Sequence, residues 1–390
     1  MQQRTVVQLE YLCSISGTNR HCFMPDQLAV TAFADLLEND HPLLDVRAPT
    51  EFQRGSFPCA HNIPLLEDSE RKAVGIRYKE AGQEIAIALG EKLVSGESRT
   101  NRIEKWIEFI NSNPYAAIYC FRGGLRSKTV QTWLADEGIR IPLIQGGYKA
   151  LRRFCLITID QASKQEKFIV IGGKTGSAKT HLLKQLNFSI DLEGNANHRG
   201  SAFGRRSLEQ PNQVNFENNL AVNLIKLKFK IASKIFIEDE SRAIGSLSVP
   251  LAIHRQMSVS PLAIIEEPIE SRINTILNDY IFSNYQEYKA HDSKHFEALF
   301  ADSLLSALIR IKRRLGNDRY TEISQLMKDA LVSDNLNNSA AIHREWIGKL
   351  LNAYYDPMYE YQLEKKSHRI VFRGDKVEFL NWARNIDRPK

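Results

Sequence analysis

The chain has 390 residues, of which 43% are hydrophobic and 25% charged, and this is typical of a soluble globular protein with two or three domains. Its apolar runs are too short to cross a membrane, no signal-peptide pattern opens the sequence, and the five scattered cysteines exclude a disulfide framework or a zinc motif. We therefore expect a protein of the reducing cytoplasm without membrane contact, and the net charge of +6 permits nucleic acid as a partner.

The apolar pattern of the first part of the chain predicts alternating helices and strands, which indicates a parallel sheet with helices on both faces. Residues 1–24 carry little pattern and are predicted to form an N-terminal arm. Helices are predicted from apolar spacing at residues 25–37, 103–110 and 130–138. Strands are predicted at residues 42–47, 61–64, 115–119 and 141–144.

A polar stretch at residues 160–166 marks the predicted domain boundary. The strand predicted just beyond it runs directly into a glycine-rich loop, and a short helix follows that loop. Strands are predicted in this second part at residues 168–171, 188–193, 235–237, 263–266 and 369–372. Helical patterns are found at residues 181–186 and 220–229 and over most of residues 272–363.

Cys120 lies where a buried strand is predicted to end, before a glycine-bearing loop and a helix. The backbone N–H groups of such a loop, the positive end of the helix and neighbouring guanidiniums all favour the thiolate over the thiol. The Cys-x5-Arg spacing lets the loop wrap a tetrahedral oxyanion while Arg126 forks onto its oxygens. We therefore predict Cys120 as the nucleophile and Arg122, Gly123, Gly124 and Arg126 as anion-binding residues.

Two kinds of reaction suit such a loop. One is attack on a chalcogen to form a persulfide-like intermediate, and the other is attack on phosphorus, as in cysteine phosphatases. An inert buried cysteine is the alternative, but the arginines and paired glycines argue against it. Asp45 and Arg47 end a predicted strand of the same domain and are candidates for supporting the site, although a buried ion pair at the sheet edge explains them equally well.

The loop after the domain boundary follows the phosphate-binding pattern Gly-x-x-x-x-Gly-Lys-Thr, except that Ala178 stands at the second glycine. We predict that Gly173, Gly176, Lys179 and Thr180 bind phosphate, because strand, loop and helix occur in the required order. Thr180 occupies the position at which such loops place a magnesium ligand. The methyl group of Ala178 puts phosphate affinity in question.

Glu238 and Asp239 end the predicted strand at residues 235–237, as the magnesium-binding carboxylate of a P-loop protein does. We treat them as candidates for supporting the second site with bound magnesium, and a solvated, charged strand end explains them equally well. No other metal site and no resident cofactor are predicted.

Basic residues recur in clusters along the second part of the net basic chain, beside several tyrosines. A single cluster is commonly no more than a solvated surface, but several together favour a tract that binds an RNA backbone. The clusters are His198-Arg199, Arg205-Arg206, Lys312-Arg313-Arg314, Lys365-Lys366 and Arg369, and the tyrosines are Tyr354, Tyr355, Tyr359 and Tyr361.

Taken together, these motifs resemble the bacterial tRNA 2-selenouridine synthases. The resemblance extends from about residue 42 to about residue 373, so a chance match of this order and extent is improbable. The matching stretches include residues 44–52, 62–65, 120–127, 146–152, 198–204, 237–242 and 355–359.

The resemblance implies a rhodanese-like parallel-sheet domain at residues 25–158, a P-loop α/β domain core at residues 165–271, and a mostly helical C-terminal region at residues 272–390 with tRNA contacts. It further implies that selenium replaces the sulfur of 2-thiouridine at the tRNA wobble position. The implied route is S-geranylation from geranyl diphosphate and then displacement by selenium from selenophosphate, with Cys120 as the catalytic cysteine. We add the hypothesis that the P-loop holds the diphosphate of geranyl diphosphate instead of ATP.

Two other functions fit parts of the sequence. One is a Cys-x5-Arg phosphatase or a sulfurtransferase with an accessory nucleotide-binding domain, and the other is a non-catalytic, nucleotide-gated RNA-binding module. Tyr119 argues against the phosphatase, because such enzymes often place a histidine before the cysteine. The intact loop at Cys120 argues against the non-catalytic module.

Overall fold

The computed structural model describes residues 25–165, 167–227, 234–332 and 336–386. The predicted N-terminal arm, residues 1–24, lies outside the described residues. The chain divides into two compact units. The first comprises the described residues up to Thr158 together with Glu217–Lys226, and the second comprises the other described residues.

The first unit is built on a five-stranded parallel sheet of order β1-β5-β4-β2-β3. Its strands are β1 (Gln27–Leu28), β2 (Leu43–Asp45), β3 (Ala60–Asn62), β4 (Ala117–Tyr119) and β5 (Leu143–Ile144). The central strands are buried on both faces, as parallel strands covered by helices are. Asp45 pairs in register with Tyr119, so the chain after β2 and the chain after β4 leave the sheet side by side. The predicted parallel α/β fold is confirmed.

Six helices begin in this part of the chain, and they are α1 (Phe33–Glu38), α2 (Pro49–Gln53), α3 (Asp68–Leu93), α4 (Glu97–Ser112), α5 (Leu125–Asp136) and α6 (Gly147–Ser163). The helix predicted at residues 25–37 is wrong in its first half, because Leu28 is buried as a strand residue beside Ile144 and a 3-10 turn precedes α1. The stretch α3, which consists of two helical segments joined by a kink at Gly82, was not predicted. Only Ala86 of α3 is buried, so this helix has no apolar stripe from which to recognise it.

The second unit contains a five-stranded parallel sheet of order β12-β11-β6-β8-β7 and a small antiparallel pair, β9 with β10. The strands are β6 (Phe168–Gly173), β7 (Ser189–Ile190), β8 (Ile235–Glu238), β9 (Ala243–Ile244), β10 (Leu247–Ser248), β11 (Leu262–Ile265) and β12 (Ile370–Gly374). The strand predicted at residues 369–372 is confirmed as the edge strand β12. The strand predicted at residues 188–193 ends early, at Ile190, because a helical turn follows it.

Helices account for most of the rest of the chain. They are α7 (Lys179–Leu183), α8 (Leu192–Asn195), α9 (Gln213–Lys226), α10 (Leu251–Val259), α11 (Ile269–Ile276), α12 (Ser283–His291), α13 (Phe296–Leu315), α14 (Asn317–Leu331), α15 (Leu336–Leu350), α16 (Asp356–Lys366) and α17 (Lys376–Ile386). Two π-helical stretches, Leu277–Phe282 and Leu351–Tyr355, join helices without a break. The predicted helical C-terminal region is confirmed, and no helix in the described ranges is long and apolar enough to span a membrane.

Two hydrophobic cores can be identified among the described residues of the second unit. One lies among the C-terminal helices around Phe300, Met327 and Trp346. The other lies between the sheet and the helices α7 and α17, where Phe236 packs edge-on against Phe379. The carboxyl end of β6 meets neighbours on both sides, β8 and β11, and this edge of an open parallel sheet is where ligands commonly bind.

His343 makes the second unit sensitive to acid. Its side chain is fully buried on α15, its Nδ1 accepts a hydrogen bond of 3.0 Å from Trp346 Nε1, and its Nε2 has no partner among the described residues. Burial lowers the pKa of His343 to about 4, from an ordinary value of 6.5. The unfolded chain binds this proton at a higher pH than the folded chain does. The contribution of His343 to the free energy of unfolding is therefore fully present above pH 6.5 and is lost as the pH falls towards 4.

We expect this one group to lower the free energy of unfolding by about 2 kcal/mol between pH 7 and pH 5. The substitution His343→Gln keeps an acceptor for Trp346 but cannot be protonated, so its unfolding free energy should fall less over the same range. Urea denaturation of the two proteins at both pH values measures the difference. An equal pH dependence in the two proteins would show that His343 is not responsible.

Candidate functional site

The cysteine loop, residues 120–124, lies at the carboxyl end of β4, between this strand and α5. Cys120 is 3% exposed, and its Sγ lies 3.3 Å from the hydroxyl of Ser127 on the first turn of α5. The same hydroxyl donates to the carbonyl of Gly124 at 3.1 Å, so it can turn its proton towards a thiolate when one forms. Sequence reasoning missed Ser127 as part of the site, although its place one turn into the helix was a usable signal.

The start of α6 fixes the shape of the cysteine loop. The N–H groups of Tyr148 and Lys149 donate to the carbonyls of Cys120 and Phe121 at 2.9 and 3.0 Å. Gly147 has φ +58°, and a Cβ atom on it would lie 2.3 Å from the carbonyl oxygen of Cys120. Only glycine therefore permits this approach. The N–H groups of residues 121–124 donate to no other described residue, which leaves them available to an anion.

The predicted anion-binding arginines differ in their surroundings. Arg126 is held by both carboxylate oxygens of Glu51, at 2.5 and 3.2 Å. Burial opposes ionisation of Glu51, but the hydrogen bonds and charge of Arg126 outweigh it and lower the pKa of Glu51. Arg122 is exposed and makes no ion pair with the residues that the structure describes. An anion in the loop would therefore meet Arg122 directly, and would meet Arg126 only by competing with Glu51.

Asp45 and Arg47 form a buried ion pair. Arg47 Nη2 lies 2.6 Å from Asp45 Oδ2 and also donates to the carbonyl of Gly55 at 2.8 Å, and both side chains are almost fully buried. The guanidinium lies 3.9 Å from the ring centroid of Tyr148. These contacts support the structural explanation of the pair, which braces the sheet edge and Tyr148 beside the cysteine loop.

A cavity of about 770 Å³ opens beside the cysteine loop. Its lining includes Phe121 of the loop, Arg126 of α5 and several residues of α3. The lining residues of α3 include Arg71, Lys72, Ile76 and Lys79. This wall was not predicted, because no helix was predicted at α3.

The second predicted site lies at the carboxyl end of β6, where the glycine-rich loop leads into α7. Lys179 Nζ donates to the carbonyl of Gly173 at 2.9 Å, so the lysine lies over the loop. A Cβ atom on Gly176 would lie 2.7 Å from the carbonyl oxygen of Arg272, which explains the glycine there. Ala178 has φ 60° and ψ 32°, the left-handed conformation that glycine adopts freely and that costs other residues about 1 kcal/mol.

A network of buried carboxylates lies beneath Thr180. Its hydroxyl donates to Glu238 at 2.8 Å and lies 3.2 Å from Glu193, and the backbone N–H of Glu193 donates to Glu238 at 3.0 Å. Burial, and then the charge of Glu193, raise the pKa of Glu238 to about 8. Burial also raises the pKa of Glu193 and Glu240. Asp239 instead lies 2.8 Å from Lys366 Nζ, so of the two predicted acids only Glu238 reaches the loop.

These residues fit magnesium only in part. No group of three or more His, Cys, Asp or Glu side chains within the described ranges is arranged to hold a metal ion. The hydroxyl of Thr180 and the carboxylate of Glu238 are oxygen donors of the kind that magnesium prefers, but its remaining ligands would have to come from phosphate oxygens and water. The chain thus supplies a partial site that a phosphorylated ligand would complete.

The buried ion pair of Arg272 with Asp356 fixes the phosphate-binding loop, residues 173–180. Arg272 is 2% exposed, donates from Nε to the carbonyl of Thr175 at 2.9 Å, and binds both carboxylate oxygens of Asp356 at 2.8 and 2.5 Å. Lys174 of the loop pairs with Glu360 at 2.6 Å. No role was predicted for Arg272 or Asp356, although Asp356 lies in residues 355–359, one of the stretches that carry the family resemblance.

A groove of about 1200 Å³ extends from the phosphate-binding loop along the second unit. Most residues of the predicted basic clusters line this groove, together with three of the predicted tyrosines. Its basic lining includes Arg199, Arg206, Arg310, Arg313, Arg314, Lys365, Lys366 and Arg369, and its tyrosines include Tyr354, Tyr355 and Tyr359. Three members of the predicted clusters lie elsewhere, since Lys312 packs on Tyr320, and His198 and Arg205 line a neighbouring cavity.

Comparison with known protein families matches both units. Residues 29–153 match the model of the rhodanese-like domain, and residues 166–388 match the model described as the tRNA 2-selenouridine synthase AAA domain. The fold and the two loops thus define a two-domain α/β protein that joins a rhodanese-type cysteine loop to a P-loop.

Curated relatives match over almost the whole chain. A tRNA 2-selenouridine synthase from Marinobacter nauticus is 47% identical, covering 90% of this chain and 96% of the relative. Proteins of the same name from Pseudomonas putida and Shewanella halifaxensis are 44% and 42% identical over 92% of this chain, and 98% and 99% of their own lengths are covered. The chain belongs to the tRNA 2-selenouridine synthase family.

The close approach of α6 to the cysteine loop can be tested with two glycines that both have a positive φ. Gly147→Ala would push a methyl group into the backbone of Cys120 and Gly123, so we expect it to lower the free energy of unfolding by more than about 2 kcal/mol. Gly138 has φ +77° with no atom within 4 Å of an added Cβ, so Gly138→Ala should cost only about 1 kcal/mol of backbone strain. Urea denaturation compares the variants, and equal losses would contradict the steric explanation.

Proposed function

We propose that this protein is a tRNA-modifying enzyme that converts 2-thiouridine at the wobble position of tRNA into 2-selenouridine. The observation that carries the proposal is the pairing, in one chain of this family, of a cysteine loop with free N–H groups and a P-loop that leads into a basic groove. We further propose two chemical steps, S-geranylation from geranyl diphosphate and then selenium transfer from selenophosphate.

The first step would use the P-loop. The sulfur of 2-thiouridine attacks carbon 1 of the geranyl group, a C–S bond forms, and the C–O bond to the diphosphate breaks. The departing diphosphate carries the negative charge, so its stabilisation lowers the barrier. Lys179, which lies over the loop carbonyl of Gly173, and the hydroxyl of Thr180 are the side chains that would hold it. This assigns the P-loop to a prenyl diphosphate instead of ATP.

The second step would use the cysteine loop. Selenophosphate is a tetrahedral oxyanion with a transferable selenium atom, and the N–H groups of residues 121–124 with Arg122 suit its oxygens. We assign the thiolate of Cys120 as the nucleophile that attacks phosphorus: an S–P bond forms, the P–Se bond breaks, and selenide leaves with the electron pair. Water then cleaves the S–P bond, which releases phosphate and restores the cysteine. Selenium then bonds to carbon 2 of the S-geranylated base, and geranyl thiolate leaves. Geranylation makes the sulfur a better leaving group, which explains why it would come first.

The tRNA would bind along the basic groove of the second unit. Arginines and lysines outnumber the five carboxylates in the lining of this groove, and tyrosines lie among them. An excess of cations with nearby aromatic rings is suited to an RNA backbone and its unpaired bases. A cytoplasmic location agrees with a tRNA substrate and with a cysteine that must remain reduced.

Replacing the nucleophile tests the second step. We expect Cys120→Ala to lower 2-selenouridine formation at least about 100-fold, while S-geranylated tRNA accumulates because the first step does not need the thiolate. Mass spectrometry of nucleosides from the treated tRNA measures both products. Cys59→Ala is the control, because this half-buried thiol has a pKa that burial raises to about 11 and the mechanism does not use it. Retained selenouridine formation in Cys120→Ala would refute the assignment, and aryl phosphatase activity that depends on Cys120 would favour a phosphatase.

Replacing the P-loop lysine tests the first step. We expect Lys179→Ala to weaken binding of geranyl diphosphate at least about tenfold, because a charged hydrogen bond to a phosphate is worth about 1.5–3 kcal/mol. Isothermal titration calorimetry measures the affinity. Lys164→Ala is the matched control, since this exposed lysine pairs with Asp160 outside the loop. An unchanged affinity in Lys179→Ala would show that the P-loop does not hold the diphosphate.

A further inference from the structure

Phe121 presents an aromatic face beside the proposed nucleophile. It follows Cys120 directly, its side chain is 38% exposed, and it lines the cavity between the cysteine loop and α3. Its ring stacks on that of Tyr148, with centroids 6.1 Å apart and an angle of 21° between the planes. The guanidinium of Arg122 lies 6.0 Å from the centroid of the Phe121 ring. A phenyl ring has no polar group with which to bind an anion, so its exposure in this loop needs another explanation.

The ring of Tyr148 is held in place, so the stacked pair is pre-organised. The buried guanidinium of Arg47 lies 3.9 Å from its centroid, and the ring of Phe57 lies 5.5 Å from it. The backbone N–H of Tyr148 is bonded to Cys120. Phe121 therefore stacks on a rigid support and needs little reordering to accept a planar ligand on its exposed side.

Positively charged side chains outnumber carboxylates in the lining of the same cavity. Arg54, Lys72 and Lys79 line it and make no ion pair within the part of the chain that the structure describes. The two carboxylates in its wall are already engaged, since Glu51 binds Arg126 and Asp68 accepts hydrogen bonds from Thr50 at 2.6 and 3.0 Å. The hydrogen bonds from Thr50, and then the charge of Arg54, lower the pKa of Asp68, so the charge of Arg54 is partly balanced. The cavity thus joins an aromatic face to an excess of cations.

We propose that Phe121 is a stacking platform for the base of the wobble nucleotide, and that Arg54, Lys72 and Lys79 bind the phosphates that flank this base. This inference rests on the proposed function, because it takes tRNA as the substrate. An unpaired base splayed out of an anticodon loop offers one planar face and two neighbouring phosphates, and aromatic side chains with nearby cations bind single-stranded nucleotides in this manner. Stacking on Phe121 would place the base next to Cys120.

Selenophosphate alone does not account for the cavity. Its volume, about 770 Å³, is far larger than a single tetrahedral anion needs, and its walls include the apolar side chains of Phe121 and Ile76. The free N–H groups of residues 121–124 already provide the place for that anion. The remaining space and the aromatic face match a nucleotide.

A double-mutant cycle between protein and RNA tests the platform. The ligands are two anticodon stem-loop RNAs that differ only at the wobble position, where one carries 2-thiouridine and the other an abasic site. The proteins are the full-length wild type, Phe121→Leu and Phe121→Trp, and fluorescence anisotropy measures binding. We expect the wild type to bind the 2-thiouridine RNA about tenfold more tightly than the abasic RNA, because stacking of one base is worth this much or more.

The substitution Phe121→Leu keeps the apolar bulk but removes the ring, so this variant should bind both RNAs equally and as weakly as the wild type binds the abasic RNA. Phe121→Trp should keep the preference. Tyr115→Leu is the matched control, because Tyr115 is an aromatic residue of the same unit with 54% exposure that precedes β4, whereas Cys120 follows it. This variant should retain the full preference.

Full discrimination in Phe121→Leu, or none in the wild type, would overturn the platform while the proposed function stands, provided that the wild type still forms 2-selenouridine in tRNA. Failure of the wild type to bind either RNA and to modify tRNA would instead refute the proposed function and this inference together. Substituting Lys79 by alanine separates the two parts of the proposal. We expect Lys79→Ala to weaken both RNAs equally, and loss of the preference for 2-thiouridine in this variant would contradict the assignment of Lys79 to a phosphate.

Discussion

Backbone contact between the start of α6 and the loop after β4 determines what the cysteine can do. Two N–H groups of α6 bind the carbonyls of Cys120 and Phe121, and Gly147 approaches too closely for any side chain. Because these carbonyls are bonded to α6, the loop keeps one conformation, and its own N–H groups remain unpaired at residues 121–124. The anion site, the position of Ser127 and the stacked ring of Phe121 all depend on this conformation.

The second loop is held by the same principle with different groups. The carbonyl of Thr175 is fixed by the side chain of Arg272, which Asp356 orients, and Gly176 lies against the backbone of Arg272. A buried ion pair is costly to form but positions its partners well when all of its hydrogen bonds are satisfied. In both units, a loop at the carboxyl end of a parallel strand is shaped by a segment distant in sequence. The geometry of each loop therefore depends on the fold as well as on the residues of its motif.

The sequence was sufficient to predict the parallel sheets, the order of the motifs and the place of Cys120, because buried strands are continuous apolar runs and glycines mark the loops. It was insufficient for α3, whose residues are largely solvated and show no apolar periodicity. The partners Glu51 for Arg126 and Asp356 for Arg272 lie 75 and 84 residues away in the chain, and no local pattern reports such pairs. The predicted roles of the site residues, including phosphate binding by Gly173 and Thr180, remain predictions.

The ion pair of Arg126 with Glu51 gives the cysteine loop an internal competitor. Glu51 also accepts the N–H of Ala48 at the start of α2 and lies 3.7 Å from Arg71 of α3. A ligand that displaces this carboxylate must therefore outweigh several contacts at once. A multiply charged oxyanion gains more from the charge of Arg126 than a singly charged anion such as chloride does. Any small anion could still meet Arg122 and the free N–H groups, so the charge of the anion would decide only whether Glu51 is displaced. That displacement would change the contacts of Glu51 with α2 and α3.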